Sequence, residues 1–161
     1  MEQIIQLNSQ AKLSEHFVLG EFTRSNSHPE VYNIPTHEAI ANLKRVCEWL
    51  EVLRERAGGP IRINSGYRSP QLNKKVGGVP TSNHLTGCAV DIRVLGMEQL
   101  IRYAAILLDY ADESKQDFDE LLIERRSASP LGSSKNRYGA IWLHFAVRPF
   151  SNRRKVSFIN A

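Results

Sequence analysis

Ser82-Asn83-His84-Leu85-Thr86-Gly87-Cys88-Ala89-Val90-Asp91-Ile92 runs from a polar loop into a strand-like segment and carries a histidine and an aspartate seven residues apart. Seven residues of straight strand span roughly 23 Å, too far for two side chains to meet at one ion. For His84 and Asp91 to act together the chain must fold back between them, and Gly87 is the residue that lets it bend. Ala89 shares a strand face with Asp91 and leaves room beside it. Upstream, Ser65-Gly66-Tyr67-Arg68-Ser69-Pro70 sets a basic side chain in a turn. Downstream, Trp142-Leu143-His144-Phe145 supplies a second histidine. Two histidines and one aspartate form a donor set for a catalytic zinc with one position left for water. Residue types alone leave two alternatives open. One is a hydrogen-bonded His–Asp pair. The other is an iron oxygenase site, which ranks below zinc because such sites commonly pair His and carboxylate at closer spacing.

The 161 residues suffice for one domain with a real core. A hydrophobic fraction of 42% and a charged fraction of 24% are those of an ordinary globular protein. No run approaches the roughly 18 apolar residues that a membrane span needs. Met1 to Asn8 has neither a basic segment nor a sustained apolar one, so synthesis in the cytoplasm without a signal peptide is the expectation. The net charge of +4 is scattered, apart from Arg153-Arg154-Lys155, and no aromatic residues interleave with it, which argues against a nucleic-acid partner. Cys47 and Cys88 lack CxxC spacing and read as reduced and buried.

Residues 1–12 read as an N-terminal arm, 13–150 as the domain, and 151–161 as a C-terminal tail. Phe17 and Phe22 are expected on the core, and the segment from Ser25 to Pro35 is rich in turn residues. Thr36 is a candidate N-cap for a long helix. Its buried face would carry Ile40, Leu43, Val46, Leu50, Leu53 and Ala57, and Gly58-Gly59-Pro60 would stop it. His37 on its first turn reads as a surface residue. A short strand at Ile61–Asn64, a short helix at Gln71–Val76 and a strand at Cys88–Val94 follow. A second helix is expected from Met97 to about Asp109 with Met97, Leu100, Ile101, Ala104 and Leu108 as its stripe, then an acidic connection from Ala111 to Asp117. Strands at Phe118–Glu124 and Ile141–Val147 would flank a long excursion from Arg125 to Ala140. Without regular βαβ alternation, the fold class is α+β, a small and mainly antiparallel sheet flanked by helices.

Ser82-x-His84-x-x-Gly87-x-Ala89-x-Asp91 followed by Trp142-x-His144 resembles the signature of the zinc D-alanyl-D-alanine carboxypeptidase-like metallopeptidases, whose metal-site scaffold also occurs in the hedgehog signalling domain. Leu13 to Ser25, Gly59-Pro60-Ile61-Arg62-Ile63, Ser65 to Pro70, Asn73 and Gly77-Gly78 are similar to bacterial and phage-borne members. The resemblance implies zinc ligands His84, Asp91 and His144, with Arg68 facing the substrate and able to hold a carboxylate or an oxyanion through its forked donors. Ser82 would contact substrate or the ligand shell, or merely cap its loop; Tyr67 would pack under the turn, and Trp142 would wall the pocket.

Relatives often place the general base a few residues before the last histidine, yet Tyr138 to Leu143 holds no acid. Glu124 is the first choice, since antiparallel pairing of its strand with the Trp-x-His strand would set it beside His144 across a long loop, and Asp119 is the second. The implied function is a zinc peptidase that cuts peptide bonds of peptidoglycan stems, working as a monomer on the cell wall, with phage-type release as the expected route to it. A non-catalytic zinc-binding module of a wall-associated particle is the alternative.

Overall fold

The computed structural model describes residues 8–25, 28–126 and 140–160. Among these residues, four helices, α1 (Gly20–Thr23), α2 (His37–Ala57), α3 (Pro70–Lys75) and α4 (Met97–Ser114), accompany a short 3-10 helix, Asn83–Thr86. Five strands, β1 (Ile63–Ser65), β2 (Ala89–Arg93), β3 (Glu120–Arg126), β4 (Ala140–Ala146) and β5 (Lys155–Asn160), form one open sheet in the order β1-β2-β4-β3-β5. All neighbours are antiparallel except β3 and β5, which run parallel. The α+β expectation holds.

The scaffold helix α2 starts where its cap chemistry dictates. The Thr36 side chain accepts a hydrogen bond from the Ala39 amide, Glu38 sits in the first turn, and Gly58 ends the helix in the left-handed conformation at φ 80°. Leu43, Val46, Leu50 and Leu53 are buried as expected, joined by Cys47 and Trp49, whereas Ala57 is exposed. Trp49 is the centre of an aromatic cluster, with ring centroids 4.9 Å from Tyr110, 6.3 Å from Phe118 and 5.3 Å from Phe145. These are edge-on or tilted pairings of the favoured kind. Phe17 and Phe22 enter the same core, and both cysteines are free and buried.

Three expectations are corrected. Helix α4 runs through Ser114, so most of the acidic connection is helix, and its buried stripe is Leu100, Tyr103, Leu107 and Ala111. Met97 and Ile101 face outward, because apolar residues occupy more than one side of this helix and periodicity alone does not set its phase. The expected tail contains β5: Arg154 and Lys155 amides donate to the carbonyls of Phe118 and Asp119, which starts the parallel ladder along β3. The described part of the arm is also tied down, with Lys12 bridging to Val18 and the Gly20 amide bonded to the Ser9 carbonyl. Residues 1–7, and most of the excursion expected between β3 and β4, lie outside the described residues.

The sheet has two unlike faces. Val90, Ile92, Leu121, Leu143 and Phe145 point to the helices and are buried in the core. The opposite face carries Asp91, His144 and Glu124, set by the period-two alternation of β2, β4 and β3.

Candidate metal centre

Local chain geometry brings His84 to the sheet. The Ser82 hydroxyl accepts from the His84 amide and caps the 3-10 helix, and Gly87 closes it at φ 78°. A β-carbon at Gly87 would collide with the Ala39 carbonyl of α2, so both backbone conformation and close packing require glycine. Asn42 of α2 donates to the Thr86 carbonyl at 2.8 Å, anchoring the 3-10 helix to the scaffold. The chain then enters β2, where Asp91 pairs directly with His144 of β4.

His84 Nε2 lies 3.3 Å and His144 Nδ1 3.0 Å from the same oxygen, Asp91 Oδ1. The three side chains are buried. The second nitrogen of each ring already faces an acceptor: His84 Nδ1 is 2.7 Å from the Gly66 carbonyl, and His144 Nε2 is 2.8 Å from Glu120 Oε1. With one proton held at each outer position, His84 Nε2, His144 Nδ1 and the carboxylate oxygen can turn lone pairs to one point, which is what a cation needs. In a tetrahedral zinc site with bonds of about 2.0–2.2 Å, ligand atoms stand roughly 3.4 Å apart, close to the spacing seen. The residues fit zinc.

Charges follow this geometry. Burial alone would raise the Asp91 carboxyl, but the two histidines hold it well below the usual carboxylate range. The histidines move in opposite directions. Burial pushes His84, with one carboxylate partner and one carbonyl, below its ordinary value. Burial also acts to lower His144, yet its hydrogen bonds to Asp91 and Glu120 carry it up to about 10.

Arg68 sits at the edge of the site. Its amide is bonded to the His84 carbonyl, so the turn and the 3-10 helix are docked together. Its guanidinium reaches Asp91 Oδ2 at 3.4 Å, Asn73 Oδ1 at 3.2 Å and Ser65 Oγ at 3.4 Å. Burial pushes it below its ordinary value, opposed by Asp91 and Glu124. Tyr67 is buried under the turn, as expected.

Glu124 arrives by strand register. It pairs with Trp142, two residues from His144 on the same face, and its Oε2 is 3.6 Å from His144 Nδ1. Burial, then the Asp91 charge, raises its carboxyl above the ordinary value. Trp142 stands beside it, half-buried, with Arg126 5.8 Å over its ring. Ser82 serves as the cap of the 3-10 helix. Asp119 is overturned as a candidate base: it is fully enclosed and bonded to Arg153, Arg148 and Asn83, away from the converging donors. His37 is exposed.

Glu120 is the residue that motif reasoning passes over. It precedes Glu124 by four positions on the same strand face, and this period-two placement was the available signal.

The site thus has the form of a mononuclear metal centre with a carboxylate at its open side. A family model described as Peptidase M15 matches residues 15–119, about two thirds of the chain. The chain belongs to the peptidase M15 family. The zinc D-Ala-D-Ala carboxypeptidase of Streptomyces albus G is 32% identical to it over 91 residues. That alignment covers 56% of this chain and 36% of the relative, so the match spans about a third of the relative's length. The family match contains Arg68, His84 and Asp91; Glu120, Glu124, Trp142 and His144 lie beyond it and are brought to the site by the β3–β4 register.

Proposed function

We propose that this protein is a zinc-dependent peptidase that hydrolyses peptide bonds in the stem peptides of bacterial peptidoglycan. The observation that carries the reading is the convergence of His84 Nε2, His144 Nδ1 and Asp91 Oδ1 with Glu124 standing 3.6 Å from one of them. The substrate class rests on the name of the Streptomyces relative.

His84, Asp91 and His144 would hold the metal. When bound, zinc supplies Lewis acidity towards a peptide carbonyl and towards water. Glu124 takes a proton from the attacking water and returns it to the leaving amine; burial raises its carboxyl above the ordinary value, which makes it a better proton acceptor. Arg68 faces the negative charge that gathers on the scissile carbonyl or on a nearby substrate carboxylate. Trp142 walls the site. Exposed Arg93, which shares its face, and Arg126 flank Trp142 and favour an acidic peptide. A wall polymer as substrate would put the work of the protein at the cell wall.

Zinc-loaded protein incubated with purified muropeptides, followed by mass spectrometry, tests the reading. The expected product gains one water, carries a new amine and a new carboxyl, and disappears with His84→Ala. Zinc binding with no bond cut in any stem peptide or crosslink overturns it, and leaves a non-catalytic zinc module.

A further inference from the structure

We propose that Glu120 is the positioning residue for the metal ligand His144, and that Arg153, from the turn preceding β5, holds Glu120 in place. The metal affinity of the site then depends on a C-terminal segment outside the family match. The inference rests on reading His84, Asp91 and His144 as metal ligands.

A histidine ligates through one nitrogen, and the partner of its other nitrogen decides which one is free. For His84 that partner is a backbone carbonyl, which the fold supplies whatever the side chains. For His144 it is the Glu120 carboxylate at 2.8 Å. Glu120 is itself saturated by donors: Oε1 also accepts from Asn83 Nδ2 at 2.9 Å, and Oε2 accepts from Arg153 at 3.1 Å. Three donors thus face its two oxygens, an environment that favours the ionised form. An ionised carboxylate can only accept, so when Nδ1 gives up its proton to a metal, the remaining proton of His144 stays on Nε2.

The supports converge from three segments. Arg153 spans both acids, reaching Asp119 Oδ2 at 2.8 Å and Oδ1 at 3.0 Å as well as Glu120. Asn83, next to His84, donates to both acids and accepts from Arg148 at 3.0 Å. One hydrogen-bonded cluster therefore steadies the segments that carry both histidines.

Zinc dissociation constants of the full-length chain, measured by chelator competition without substrate, test this. Glu120→Ala is expected to weaken binding about 10- to 100-fold, with Glu120→Gln in between because it keeps an acceptor without the charge. Arg153→Gln should weaken binding several-fold. Arg154→Gln removes the same charge from the same turn but pairs with Asp112 and Asp117, and should leave affinity within about twofold. Melting of the metal-free proteins separates a binding loss from unfolding. Nitrogen-15 spectra of the zinc-loaded protein should show His144 protonated at Nε2, with that proton shifted and exchanging faster in Glu120→Gln.

Wild-type affinity in Glu120→Gln, or a zinc-loaded wild type with His144 bare at Nε2, overturns the proposal even if Glu120→Ala fails to fold. A wild type that binds no zinc overturns it too. Tight zinc binding without hydrolysis sinks only the peptidase reading.

Discussion

Glu124 Oε2 stands 3.6 Å from His144 Nδ1, although the residues immediately before His144 contain no acid. Antiparallel pairing of β3 with β4 makes the connection: Glu124 faces Trp142, and the strand alternation puts both on the face of His144. The carboxylate is therefore held by a rigid ladder rather than by a loop. Glu124→Gln keeps the shape and removes the proton acceptor. It should lower turnover about 100- to 10,000-fold. It should also leave folding intact, since a buried charge is removed without creating a cavity. Muropeptide cleavage rates and melting of the variant are the measurements; retention of more than about a tenth of wild-type turnover would show that another group moves the proton.

Metal uptake should be pH-dependent in a definite direction. His144 is raised to about 10 in the metal-free site, so near neutrality it is an imidazolium, and Nδ1 must lose a proton before it can ligate. Zinc affinity should then rise about tenfold per pH unit across the neutral range, with about one proton released per ion bound. Calorimetry in buffers of different ionisation enthalpy reads that proton. No release near pH 7 would contradict the raised value of His144.

Most elements could be read from local patterns because their signals are local. Thr36 and Gly58 bound α2, Ser69 caps α3, and Gly87 turns the chain between His84 and Asp91. The cluster of His84, Asp91 and His144 was legible too, as a donor set that the structure brings together. What escaped depends on long-range pairing. Lys155–Asn160 becomes a strand only because β3 offers it an edge, and the phase of α4 follows from what it packs on rather than from its own crowded apolar positions. Glu120 escaped for a related reason. Its meaning lies in His144, Asn83 and Arg153, three residues scattered along the chain, and no motif connects them.

Gly87→Ala should damage the metal centre through the backbone. The residue sits at φ 78°, and an added β-carbon meets the Ala39 carbonyl of α2. The left-handed conformation costs an L-residue roughly 1–2 kcal/mol, before the collision displaces the 3-10 helix that carries His84. The expected outcome is a folded but less stable protein whose zinc affinity falls along with its melting temperature. A variant that loses stability but binds zinc as tightly as wild type would show that this helix is not what places His84.

Asp119 predicts where acid stability fails. Burial acts to raise its carboxyl, yet Arg153, Asn83 and Arg148 lower it from the ordinary 3.8 to about 2. A group whose folded value is depressed contributes stability that is complete above its unfolded value, near 4, and is lost as pH falls towards the folded value, about 2. Asp119→Asn keeps one acceptor but cannot ionise, and it leaves Arg153 with Glu120 as its remaining charged partner. Metal-free Asp119→Asn should therefore be less stable than metal-free wild type at about pH 6, by about 1 kcal/mol, because Asp119 is enclosed but solvent screens the half-exposed Arg153. Because only the wild type loses this contribution in acid, the gap should close as pH falls from about 4 to about 2. Urea denaturation of both proteins across that range is the measurement, and a gap that stays constant would show that the clamp on Asp119 stabilises the fold through shape rather than charge.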